Sequence, residues 1–316
     1  MKRIAVLFFL LALLVPASAQ LTMTAVGGGF GVAAGGSFSG SGDTLSGAFA
    51  YWSCGRAYTS AYATGGGNAC DIIRSSDSTT CTVKFNSTGF ADVTTAYCNG
   101  STQSVTAFCN ATTCKVSKAY DQSGNTNCTT ACDATQATGA SQPVLNLSGL
   151  GGKVCMTFSG SQSLASAGTA NSLTQPFSGS FVSERTGSTS SFSDILGVGS
   201  SGTIQFLYNN AVNQSGVFAG TIGGAQAVST TDNAYHAIND VINGASSIVV
   251  VDGSATTGLS PGANNISLAS TFALGNNNNA LTGSICEARF DNVAYNATQY
   301  GNLNTNQHSA TNGYNF

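Results

Sequence analysis

The chain reads as an all-β sandwich stapled by disulfides, and three features of the sequence carry that reading. From Pro143 onward, short runs of alternating apolar and polar residues recur, separated by Gly, Ser or Asn clusters. Prolines number only four, and little 3.6-residue periodicity is visible. Ten cysteines, an even number, all follow an apolar N-terminal leader, as in an exported chain whose thiols are oxidised.

In chain order, Lys2 and Arg3 precede an apolar run from Ile4 to Val15, and Ala17-Ser18-Ala19 offers small residues for cleavage. Residues 1–19 are therefore expected to be a signal peptide cut after Ala19, since the run is too short to span a bilayer well. The product would be secreted, at the cell surface or periplasmic. Residues 20–49 form a Gly/Ser-rich N-terminal segment, and one sandwich domain is expected over 50–316. Thr59–Tyr62 starts a short helix, Asp71–Arg74 and Thr80–Phe85 are strands, and Phe90–Tyr97 and Val105–Phe108 read as short helical pieces. A strand follows Cys114.

Beyond Pro143 the expected strands are 144–147, 154–158, 179–185, 193–198, 203–208, 216–219, 236–242, 247–252, 272–275 and 284–295. Asn243-Gly244 and Asp252-Gly253 supply turns whose residues tolerate positive φ.

Charged residues make up 7% of the chain and the net charge is −3. No basic patch exists to neutralise phosphates, which argues against nucleic acid as a partner. No segment after the leader is apolar enough to enter a membrane. Cys128 and Cys132 could offer two thiolates to a metal, but no second pair or nearby histidine completes a tetrahedral set, so no metal is expected. Gly27-Gly28-Gly29 and Gly65-Gly66-Gly67 lack the helix and acceptor residues of a phosphate loop, and no cofactor is implied. With 42% hydrophobic residues the chain can bury a core despite its 39 glycines.

The stretch from Phe108 to Asn125 joins a Cys-x4-Cys loop (Cys109, Cys114), a short alternating strand and a Tyr-Asp-Gln-Ser-Gly-Asn turn. It resembles the catalytic domain of the arabinofuranosidase B family, within the concanavalin A-like lectin/glucanase superfamily. The hairpin from His236 to Gly253 and the strand from Gly283 to Phe290 are similar to that superfamily more diffusely. The resemblance implies a concanavalin-like jelly roll, a glycan partner containing arabinose, and a Cys109–Cys114 bridge. Cys128–Cys132 is a plausible second local bridge. Proximity in sequence suggests Cys70–Cys81, and Cys286 could tie the last strand to Cys155.

Retaining glycoside hydrolysis needs two carboxyls about 5 Å apart. The family's nucleophilic Glu lies in a Gly-x-Met-Glu-Ala-x-Tyr strand, and the matching stretch here, Gly202 to Tyr208, carries Gln205 instead. The family's acid lies in a Leu-Gly-x-Gly-Gly-Asp-Asn turn. The matching turn here is Leu274-Gly275 followed by Asn276, Asn277, Asn278 and Asn279. An amide hydrogen-bonds a sugar but neither attacks an anomeric carbon nor supplies a useful proton.

The resemblance therefore implies a carbohydrate-recognition domain in which Gln205, Asn276, Asn277, Asn278, Asn279 and Asp194 bind ligand. An alternative is an active α-L-arabinofuranosidase using a relocated pair, with Glu287 and Asp194 as catalytic candidates and Glu184 in reserve. A third reading is a surface protein that self-associates. Asp121 is expected to cap its own turn rather than to bind ligand, and Trp52 could stack on a sugar or lie in the core.

Overall fold

A computed structural model describes residues 37–316, apart from residues 95, 99–100, 188–191, 200–201, 222–225 and 276. The expected signal peptide, residues 20–36 and Asn276 lie outside the described residues.

Antiparallel pairing builds two layers. In one, Ser254–Leu259 pairs with Ser247–Val251, which pairs with Tyr235–Ile242, then Phe177–Gly187, then Thr282–Asp291. Ala50–Trp52 and Cys155–Ser159 share the far side of Thr282–Asp291. The other layer runs from Gln226–Ser229 through Gln214–Phe218, Ile204–Asn209, Phe192–Val198, Phe272–Leu274 and Leu164–Ala165 to Ala134–Thr135. Cys114–Ala119 joins the two, pairing with Ala134–Thr135 and, through Val144–Asn146, with Cys155–Ser159. This is the disulfide-stabilised jelly-roll sandwich that the alternating pattern predicts.

Alternation explains the core. Phe177 and Phe181 point between the layers while Ser178 and Ser180 point outward. Phe290 is the hub, with ring centroids of Phe49, Phe177 and Phe272 at 5.7, 5.7 and 4.9 Å. Such offset aromatic contacts each add about 0.5–1.5 kcal/mol beyond area burial. Trp52 is fully buried, and its Nε1 donates to Cys132 O at 2.7 Å. It belongs to the core and faces no ligand.

A bulge on Thr282–Asp291 interrupts the alternation. Val182 pairs with Glu287 and Ser183 with Ile285, so Cys286 is the extra residue. Two consecutive side chains, Cys286 and Glu287, therefore leave by the outer face. Cys286 bonds Cys155 there, across 131 residues. Cys109–Cys114 and Cys128–Cys132 close the two short loops.

The expected Cys70–Cys81 bridge is incorrect: Cys70 carries a free, buried thiol, and Cys81 is disulfide-bonded elsewhere. In that hairpin Cys70 faces Val83 while Cys81 faces Ile72. Diagonal neighbours of this kind lie about 7–8 Å apart, beyond what a disulfide spans. Burial and the neighbouring Cys54 thiol push the Cys70 thiol well above its ordinary pKa.

Among the described residues of Phe90–Tyr97, none is helical either. Phe90 and Ala91 bridge to Arg56 and Phe85, and Ala96–Cys98 is a strand facing Thr82. A short apolar run has no period of its own to decide between states, and the neighbouring strands decide it. The expected boundary at residue 50 also falls inside the packed body. Phe38, Ala48 and Phe49 are buried, and Arg289 donates to Ser41 O and Leu45 O.

Asp240 carries a carboxyl into the sandwich. Asp240 is fully buried and accepts from Val250 N at 3.0 Å and Ser215 Oγ at 3.4 Å. Burial holds its carboxyl well above the ordinary carboxylate range, and those two donors only partly oppose that. A raised folded-state pKa means that the folded chain holds this proton more tightly than the unfolded one. The resulting stability is complete below the unfolded pKa, about 3.9, and is lost as pH rises through the folded value. Asp240→Asn keeps an acceptor for Val250 without the titration. It is expected to gain stability over the parent between pH 4 and pH 7, read as the difference in urea midpoints. Equal gaps at both pH values would contradict a raised Asp240 pKa.

Candidate functional site

The sequence-selected residues Asp194, Gln205 and Asn277–Asn279 meet at one end of the second layer. Phe192–Val198 and Ile204–Asn209 pair with a bulge between Asp194 and Leu196, and Asp194 is fully buried. Its Oδ2 accepts from the backbone N of Asn278 and Asn279 at 2.9 Å, from Asn277 N at 3.4 Å and from Gln205 Nε2 at 3.1 Å. Its Oδ1 accepts from Asn279 Nδ2 at 3.2 Å. Burial raises the Asp194 pKa, and the turn N–H groups pull it back.

Close packing fixes the turn. A Cβ on Gly197 would lie 2.3 Å from Asn277 Cβ, and one on Gly202 would lie 2.3 Å from Gln205 Nε2. Gly202 also has φ +68°, which favours glycine. Asn277 Nδ2 donates to Gly199 O at 2.9 Å. The cluster thus has two levels. Asp194 and the 3% exposed Gln205 lie beneath, bonded to each other and to the turn, while Asn278 faces solvent and Asn277 and Asn279 are half-buried. Asp194 acts on the turn as an anchor, with both oxygens engaged.

Glu287 lies elsewhere, on the outer face of the first layer. Its Oε2 accepts from Arg56 Nη1 at 2.5 Å and Tyr51 Oη at 3.0 Å, and its Oε1 accepts from Gln307 Nε2 at 2.9 Å. Glu287 and Arg56 are both fully buried, and Arg56 Nη2 also donates to Asn306 Oδ1. The helix Ala297–His308, which supplies Gln307 and Asn306, covers the pair. Glu287 is thus a structural partner of Arg56, enclosed on all sides, and Asp194 belongs to the other layer. Glu184 pairs across the strand with Tyr235 and Ser284. Asp121 Oδ1 accepts from Tyr51 N and Ser123 N at 2.9 and 3.0 Å, the turn-capping role its sequence suggested.

Sequence reasoning missed two groupings. The histidines His236 and His308 both meet Asp252, at 2.7 and 3.6 Å. Burial would raise the Asp252 pKa, but His236 and the N–H of Ala237 outweigh it and lower the value. Only the Asp252-Gly253 turn hinted at this place. The second grouping is a cleft of about 400 Å³ holding Lys118 and Asp133; Lys118 lies in the Phe108–Asn125 stretch, but nothing in the sequence pairs it with Asp133. Among the described residues, no cluster of ligating side chains suits a metal, and no helix is long and apolar enough to cross a membrane.

Comparison with solved structures places the fold. An arabinofuranosidase complexed with arabinofuranosyl-α-1,2-xylobiose superposes with a TM-score of 0.60 at 16% identity, over 84% of this chain and 64% of the other. The chain resembles the arabinofuranosidase scaffold. Two further GH54 α-L-arabinofuranosidase structures match with a TM-score of 0.59 at 16% identity, also over 84% of this chain. One is a Glu-to-Gln mutant soaked with 4-nitrophenyl α-L-arabinofuranoside, and the other was soaked with a cyclic sulfate inhibitor. This chain spans 64% of the length of each. No protein-family description matches the sequence, and no curated protein matches it.

Proposed function

We propose that the chain is an exported carbohydrate-recognition domain on an arabinofuranosidase-like scaffold, with the asparagine turn as its ligand-facing edge. One observation supports this reading: Asp194, beside the amides that the sequence resemblance aligns with the family's carboxylates, is fully engaged in holding the turn. A retaining hydrolase needs a free nucleophilic carboxylate and a protonated partner about 5 Å away. Asn277, Asn278 and Asn279 instead offer donors and acceptors suited to neutral sugar hydroxyls, while Gln205 and Asp194 position them. The leader sequence and the disulfides support export.

Calorimetry with arabinofuranosyl xylo-oligosaccharides tests the reading. Saturable heat is expected, with no release of nitrophenol from 4-nitrophenyl α-L-arabinofuranoside. Asn278→Ala should weaken binding by about fivefold, the loss of one neutral hydrogen bond. Absence of heat with any oligosaccharide contradicts recognition. Chromophore release abolished by Asp194→Asn would make the chain a hydrolase instead.

A further inference from the structure

The cleft missed by sequence reasoning lies apart from the asparagine turn, where Cys114–Ala119 meets Ala134–Thr135. Lys118 stands directly across from Thr135 in the register. One wall is the loop closed by Cys128–Cys132; the other is formed by Ser166 and Ala167. Both walls are fixed, because Trp52 Nε1 holds Cys132 O at 2.7 Å and Thr129 N donates to Gly168 O at 2.8 Å.

We propose that this cleft is a sugar subsite that grips a pair of adjacent hydroxyls between Lys118 and Asp133. Lys118 Nζ and Asp133 Oδ2 are 3.6 Å apart, opposite in charge yet beyond hydrogen-bond length. Their side chains are 33% and 20% exposed, so both reach the cleft. The other carboxylate oxygen accepts from Asp121 N at 2.9 Å, which sets the orientation of Asp133. The Lys118 ammonium lies 4.9 Å from the Tyr120 ring centroid, which steadies it without using a directed donor.

Hydroxyls on neighbouring carbons stand about as far apart as two hydrogen-bonded oxygens. One can donate to Asp133 Oδ2 while the other accepts from Lys118 Nζ. Both contacts are charge-assisted and need no large movement of either side chain. The pair is neutral as a whole, which favours an uncharged sugar: an anion would meet Asp133, and a cation would meet Lys118. Ala131 and Ala167 provide methyl surface for a sugar's C–H face, and Thr130 and Thr135 stand at the rim. A pre-set cleft of this kind has little ordering to undergo on binding.

The test uses the full chain, followed by NMR shifts of the Lys118 and Asp133 amides. Methyl β-D-ribofuranoside carries the adjacent hydroxyl pair, and its 2-deoxy counterpart lacks it. The ribofuranoside is expected to saturate, and the deoxy sugar to bind about tenfold more weakly. Lys118→Met, at a partly exposed position, and Asp133→Asn, which keeps an acceptor for Asp121 N, should each weaken binding about tenfold. Asn278→Ala should leave it unchanged, which separates this site from the asparagine turn. Absence of saturation, equal affinity for the two sugars, or an unaltered Lys118→Met variant overturns the proposal.

Discussion

Glu287→Gln is expected to destabilise the fold by about 3–5 kcal/mol, the usual result of leaving one member of a buried ion pair unmatched. Arg56 and Glu287 have no exposure, and the Arg56 guanidinium would stay charged with no carboxylate beside it. Tyr51 Oη would lose its carboxyl acceptor as well. The pair as a whole adds less than that loss suggests, because desolvation offsets much of the attraction. Replacing both residues together, as Arg56→Met with Glu287→Leu, should therefore recover a large part of the loss. Urea unfolding of the single and double variants measures both quantities. A Glu287→Gln protein within about 1 kcal/mol of the parent would show that Glu287 is not a structural partner of Arg56. If that variant folded normally and lost a glycosidase activity, Glu287 would be a catalytic group after all.

Removing the Cys155–Cys286 bridge, as Cys155→Ala with Cys286→Ala, is expected to lower stability by about 2–5 kcal/mol. The bridge spans 131 residues, so in the chain-entropy account it removes a large part of the unfolded chain's freedom. It also ties the central strand Thr282–Asp291 to Cys155–Ser159 at the bulge. Cys109–Cys114 and Cys128–Cys132 span 5 and 4 residues and should matter much less to global stability. Midpoints for the three pairwise removals should rank the long bridge first by a clear margin. Equal losses for a short loop and for the long bridge would show that local geometry, and not chain restriction, dominates.

Strands that alternate apolar and small polar residues were legible because alternation is a local property. Phe177–Gly187 and Tyr235–Ile242 emerged within two residues of their sequence-based limits. Ser254–Leu259 did not, since it is an edge strand with mostly exposed Thr, Ser and Ala positions and so carries no alternating signal. The convergence of Gln205, Asp194 and the asparagine turn followed from the family resemblance. Which of them faces outward did not, because burial depends on Gly197 admitting Asn277, and Gly202 admitting Gln205, so closely.

The chain's sequence by itself determined the sandwich class and the nearness of Cys109 to Cys114 and of Cys128 to Cys132, since each rests on residues a few positions apart. Tertiary structure alone decided that Glu287 is locked to Arg56, that Cys70 has no partner in Cys81, and that Lys118 faces Asp133 across a cleft. Those outcomes depend on register and on bulges, where a shift of one residue turns a side chain to the opposite face.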